Sequence, residues 1–238
     1  FRVRGKCRLG VLETDESPHP VQQRGLLGFL RRDRGRVRRG IDGQIVFTER
    51  VGHATDLSRS FLDSGYKYFI SVSGDGTLNE MARPLINNRD VVTGIIPAGT
   101  GNDFIQILGF PGRFGEKEWD IFFRKNVRKM DAGTVNDMIF LNGMGLGFDA
   151  EVAAENYTET GEVKKGGAYK YIFQIIKVLL FFREKKMKLL SGADHHETDC
   201  FINTIAVGRR FAGSFFLTPE ALADDALLDV CAIKKLNL

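Results

Sequence analysis

Two glycine-rich stretches hold the residues of this chain whose types and spacing could do chemistry. Ser73 to Glu80 reads SGDGTLNE and follows the apolar run YKYFISV; Pro97 to Phe104 reads PAGTGNDF and ends the run VVTGIIPA. Gly74 and Gly76 flank Asp75, and Gly99 and Gly101 precede Asp103. A lone Gly-Asp-Gly is read as a tight turn, because glycine enters positive φ without steric cost. Two such loops in succession, each leaving a strand-like run for a helix-like one, point elsewhere. Backbone N–H groups at a helix start, unobstructed by side chains, attract an anion, by about 0.3–1 kcal/mol per charge at exposed positions. A carboxylate in each loop suits Mg²⁺, which takes carboxylate and phosphate oxygens rather than a full protein cage. The chemistry expected from these loops is the binding of phosphates together with a divalent cation.

The elements that must position these loops follow from periodicity. QIVFT reads as a strand, and GHATDLSRSFLDSG as a helix with Ala54, Leu57, Phe61 and Leu62 on one face, ending at Gly65. YKYFISVS, TLNEMARPLI, VVTGIIPA and GNDFIQILG then read as strand, helix, strand and short helix. Strands alternating with helices predict an α/β layer with a parallel sheet. Near-continuous apolar strands fit burial on both faces. Beyond Asp131 the runs MIFLNG, KMKLLSG, DCFINTIAVG and LLDVCAIKK read as strands with few helices between them. The expected organisation is residues 41–130 as an α/β domain and 131–238 as a β-rich second domain; the family resemblance given below implies that the first binds nucleotide and that the second is incomplete.

Charge divides the chain differently. Residues 1–40 hold 10 Arg and 1 Lys against 4 acids, and the remainder holds 23 basic and 26 acidic residues, so the net +4 comes from the first forty positions. That segment shows no clear period and is read as an atypical, disordered stretch rather than a basic arm for nucleic acid or anionic lipid. Cys7, Cys200 and Cys231 form no CxxC pair and no disulfide framework, so a cytoplasmic setting is expected. No apolar run reaches the roughly 18 residues of a membrane span.

SGDGTLNE followed by PAGTGNDF resembles the diacylglycerol kinase-type lipid kinase family, which includes sphingosine and ceramide kinases. TERVGHATDLS (Thr48 to Ser58), MDAG with FLNGMGLGFDAEVA (Phe140 to Ala153) and LTPEALADDALLDV (Leu217 to Val230) are similar to further segments of that family. The resemblance covers about 45 to 233. It implies a Rossmann-like α/β domain followed by an all-β sandwich-type domain, and an enzyme that moves the γ-phosphoryl group of ATP to a lipid hydroxyl at a membrane surface. It implies nucleotide contacts from Thr48, from Gly74, Asp75, Gly76, Thr77, Leu78, Asn79 and Glu80, and from Thr100. Asp75, Asp103 and Asp131 would order Mg²⁺-ATP. Asp225 would ligate a structural Mg²⁺ with the carbonyls of Leu222 and Leu227. The bland readings are a helix cap at Asn102 or Asp103 and a strand-end turn at Asp131.

The sequence departs from the family at Ser73, where a first glycine is usual, and at Ala226, where a glycine follows the Asp pair. The family's Asn-Pro-glycine segment is absent from 1–40, and its general base is expected beyond Leu238. The chain is thus read as a fragment of a longer protein. Lipid is the expected partner, at a peripheral membrane position; nucleic acid is not, and a homodimer stays open. The alternatives are an NAD kinase-like enzyme, which shares the first loop, and a non-catalytic nucleotide- or lipid-binding module. AYKYIFQIIKVLLFF, Ala168 to Phe182, is read as a mostly buried helix, with contact to an acyl chain or bilayer as the sharper alternative.

Overall fold

The computed structural model describes residues 2–4, 8–10, 26–30, 43–99, 101–124, 126–155, 168–183, 185–191, 194–211 and 215–234. Strands β1 (Arg2–Arg4), β2 (Arg8–Gly10), β3 (Leu26–Leu30) and β4 (Gly43–Phe47) precede helix α1 (His53–Asp63). β5 (Tyr68–Ser73) leads into α2 (Asp75–Ala82) and a 3₁₀ turn, Arg83–Leu85, with Pro84 inside it. β6 (Val92–Pro97) leads into α3 (Asp103–Ile107), and α4 (Glu116–Phe123) follows. Then come β7 (Lys129–Asp131), β8 (Gly133–Val135), β9 (Met138–Phe140), β10 (Gly143–Gly147), α5 (Phe148–Glu155) and α6 (Ala168–Phe181). β11 (Lys185–Ser191), β12 (Asp194–Cys200), β13 (Ile202–Ala206), β14 (Arg210–Phe211), β15 (Phe215–Phe216) and β16 (Leu227–Ile233) complete the described chain.

The chain is mixed α/β. A four-stranded sheet of order β4-β3-β5-β6 has every neighbouring pair parallel. The strands after Asp131 pair antiparallel, the largest sheet being β1-β16-β13-β10. The Arg-rich segment read as disordered supplies β1 and β2 as partners of β16 and β7, and β3 as an inner strand of the parallel sheet. β3 is LLGFL, an apolar run too short to show a period; the rest of 1–40 lies outside the described residues.

Helix α1 shows how local sequence becomes packing. His53 Nδ1 accepts the Glu49 N–H at 3.1 Å, tying the helix start to the end of β4. At the other end Gly65 adopts φ 84, and the N–H groups of Gly65 and Tyr66 close on the carbonyls of Leu62 and Phe61, a C-terminal motif that satisfies carbonyls otherwise left open. Ala54 and Ser58 are buried, and Thr55 Oγ1 donates to the Glu80 carbonyl at 2.8 Å, which fixes α1 against α2.

One core cluster joins Phe69, Leu78, Met81, Leu85, Ile95 and Ile105 to Met130, Phe140 and Val207. Each large apolar side chain so buried contributes about 1.5–3 kcal/mol. The cluster runs across position 131 without a break, so the two sheets share apolar packing. Two helices were not read from sequence. In α4, Trp119, Phe122 and Phe123 form an aromatic cluster with Phe114, which precedes the helix, while α5, FDAEVAAE, shows little period. The helix read as mostly buried is not: Phe173, Ile176, Leu179, Leu180 and Phe181 of α6 are exposed, and only Val178 and neighbouring Phe182 are buried there among the described side chains.

Candidate functional site

The two glycine loops meet. β5 ends at buried Ser73, whose hydroxyl bonds that of Ser71 and the Gly74 carbonyl. Ser73 is outside the left-handed region, so it tolerates the place of a glycine. Gly74 and Gly99 come together backbone to backbone: a Cβ built on Gly99 falls 2.4 Å from the Gly74 Cα, and one built on Gly74 falls 3.1 Å from the Gly99 Cα. These glycines are required by close approach. Gly76 differs, because a Cβ there meets nothing within 4 Å and the residue is exposed.

Asp75 joins the loops a second time. Its Oδ2 accepts the Asp103 N–H at 3.0 Å and its Oδ1 accepts the Phe104 N–H at 2.9 Å. The carboxylate therefore caps α3 from a loop 28 residues away, where helix N–H groups are otherwise unpaired. Asn102, at φ 53 and ψ 45, makes no side-chain cap of its own. Its Oδ1 accepts the Gly99 N–H at 2.9 Å, and its Nδ2 donates to the carbonyls of Gly99 and Gly112 at 2.8 and 2.9 Å. Buried Asn102 is the knot of the second loop, a role the sequence reading left at helix capping.

The rest of the first loop divides between site and scaffold. Gly74, at the start of α2, provides no side-chain cap, so the first-turn N–H groups beside exposed Gly76 suit a phosphate. Thr77 is half-buried beside them. Leu78 is core, Asn79 has a buried Oδ1 with no partner, and the Glu80 carbonyl receives Thr55. Thr48 is half-buried just after β4. Thr100 lies outside the described residues.

Asp131 sits with the late stretch. Its Oδ2 accepts the Ala226 N–H at 2.6 Å, and its own N–H donates to the Ala223 carbonyl at 2.6 Å. Asp225 Oδ1 accepts the Leu227 N–H at 3.0 Å, and Ala226 between them is held at φ 61. One carboxylate with the Leu222 and Leu227 carbonyls is an all-oxygen donor set, the chemistry that hard cations take. Among the described residues no group of three or more His, Cys, Asp or Glu could hold a metal by side chains alone, so a cation there would depend on those carbonyls.

Two features escaped the sequence reading. Asn142 accepts the N–H groups of Val207 and Gly208 and donates its Nδ2 to the Arg210 carbonyl at 2.8 Å, while Thr218 Oγ1 donates to the Gly208 carbonyl at 2.7 Å. These bonds fix the turn bearing Arg209 and Arg210; in sequence, Asn-Gly at 142 signals only a turn. Asp149, at the start of α5, has its carboxyl raised above the usual range by burial, partly offset by hydrogen bonds from its own N–H and that of Ala150.

Residues 36–135 match the family described as the diacylglycerol kinase catalytic domain. A Pseudomonas syringae pv. syringae protein named probable lipid kinase YegS-like is 31% identical over 81% of this chain and 62% of its own length. A diacylglycerol kinase of Staphylococcus saprophyticus is 26% identical over 84% of this chain and 65% of its own. Over these spans the chain is similar to lipid kinases of the diacylglycerol kinase type. A diacylglycerol kinase structure from Bacillus anthracis str. Sterne shares the fold at TM-score 0.65 and 23% identity, covering 90% of this chain and 75% of that one. The chain spans 58–63% of the length of the Pseudomonas YegS-like lipid kinases reported as similar to it. The family match contains both glycine loops and Asp131; the Leu222–Leu227 stretch lies beyond it.

Proposed function

We propose that this chain supplies the nucleotide site of an ATP-dependent lipid kinase. The observation that carries this reading is the pair of glycine loops in backbone contact, with Asp75 bridging them. The ATP phosphates would lie against the start of α2, at Gly74, Gly76 and Thr77, with Asp103 on the facing loop and Thr48 and Thr100 as further nucleotide contacts. Mg²⁺, when bound with ATP, would neutralise charge on the phosphates; Asp75 and Asp103 are the carboxylates that would hold it there. In the reaction the bond from the γ-phosphorus to the bridging oxygen breaks and a lipid hydroxyl oxygen bonds to that phosphorus. ADP leaves, and the hydroxyl proton passes to a base. Asp131 would act through the loop it clamps, and Asp225 with Leu222 and Leu227 would hold a structural cation. The parallel sheet would be a Rossmann-like domain and the later strands a sandwich-type second domain. The exposed apolar face of α6 supports contact with a lipid surface.

The test is transfer of label from γ-labelled ATP, with Mg²⁺, to diacylglycerol, sphingosine or NAD. Label in a lipid is expected. Label in NAD would give the NAD kinase-like reading, and nucleotide binding without transfer to any acceptor would give the non-catalytic one.

A further inference from the structure

Two cavities meet behind the glycine loops, and neither is lined by Gly74–Thr77 or by the described residues of 99–103. One, of about 420 Å³, is mainly apolar, walled by Ile95, Phe104, Leu108, Phe110, Ile121 and Phe122, with Lys117 and Glu118 on its lining. The other, of about 500 Å³, is cationic: Arg128, Arg209 and Arg210 line it with Gln106 and Phe216, and among the described residues Asp224 is the one carboxylate on that lining. Gly109 and Arg128 line both.

Arg128 and Arg210 are half-buried and Arg209 is exposed, and bonds to the protein fix the side chains of Arg209 and Arg210. Arg209 Nε donates to the Ala221 carbonyl at 2.7 Å. Arg210 bonds the Gln106 side chain and sits 4.7 Å over the Phe216 ring. Arg128 Nε is buried with no hydrogen-bond partner. A buried, unmatched guanidinium donor is costly, and three guanidiniums against one carboxylate repel one another. A phosphate relieves both, since its oxygens accept guanidinium pairs in bidentate fashion and it can carry two negative charges.

We infer that the joined cavities bind a single-chain lipid phosphomonoester, its phosphate among Arg128, Arg209 and Arg210 and its chain toward Ile121 and Phe122. This deepens the kinase reading, on which the identity of the ligand as a phosphorylated lipid rests, while binding itself is measured without ATP or turnover. Trp119, the single tryptophan, lies on α4 beside the apolar arm and reports occupancy by fluorescence. Lysophosphatidate below its micelle concentration is the probe, with inorganic phosphate, glycerol 3-phosphate and neutral monoacylglycerol as comparators. Lysophosphatidate is expected to bind at least about tenfold more tightly than each comparator, a difference of one decade in Kd. Arg128→Gln and, independently, Ile121→Trp should each weaken it by about that factor with unchanged far-ultraviolet circular dichroism; for the second variant, which adds a tryptophan, binding is read by calorimetry. Equal affinity for glycerol 3-phosphate, equal affinity for monoacylglycerol, displacement by ATP, or insensitivity to either variant would overturn the inference. Lipid kinase activity with no such binding would overturn it alone, leaving the nucleotide site standing.

Discussion

Asp75→Asn separates two roles that the sequence presents as one. Between two glycines, Asp75 reads as a free carboxylate whose loss costs the fold little. The structure gives it two backbone N–H partners at the start of α3, at 3.0 and 2.9 Å. Asparagine keeps one acceptor oxygen and turns an N–H₂ toward the second donor, so one charge-assisted bond is lost, about 1.5–3 kcal/mol. The charge at the helix start goes too, about 0.3–1 kcal/mol. Asp75 is only half-buried, so a net destabilisation of about 2 kcal/mol is expected. In a chain of this size that lowers Tm by about 4–8 °C. Urea unfolding followed through Trp119 measures it, with Mg²⁺-ATP affinity measured well below the lowered midpoint. Stability within about 0.5 kcal/mol of wild type, the range of an inert surface change, would refute the brace. Stability lowered as expected with unchanged ATP affinity would keep the brace and remove Asp75 from the nucleotide site.

Gly99→Ala should destabilise by about 1–3 kcal/mol, because its Cβ would lie 2.4 Å from the Gly74 Cα. Gly76→Ala, into open space on a helix, should instead stabilise by about 0.5–1 kcal/mol while weakening ATP binding; both are read from urea midpoints and nucleotide titration. Ala226→Gly should stabilise by about 0.5–1 kcal/mol, since alanine stands at φ 61 there; a lower urea midpoint would count against strain at that turn. Burial raises the Asp149 carboxyl, so its folded state favours the protonated form. Its contribution is fully present below the unfolded carboxylate pKa and is lost as pH rises through the folded one. Asp149→Asn should therefore gain stability relative to wild type as pH rises above the ordinary carboxylate range, and a difference constant with pH would contradict that burial effect.

Local sequence determined the loops, the helices α1 to α3 and most later strands. Their signals are short-range: Gly65 ends α1, glycines open both loops, and β-branched runs make β5 and β6. The loops' chemistry was legible because residue type and spacing alone place a carboxylate and open N–H groups at a helix start. Other features depend on contacts between residues far apart in the chain. LLGFL becomes an inner strand only through partners at 43–47 and 69–72. Gly74 and Gly99 need each other's backbone, Asp75 needs the start of α3, and Asp131 needs the turn at Ala226. The α6 period marks an apolar helix equally well in a core or at a surface, and only its neighbours decide which. Arg128, Arg209 and Arg210 are ordinary surface residues in sequence; the turn held by Asn142 and the packing of α3 and α4 make them one cationic cavity.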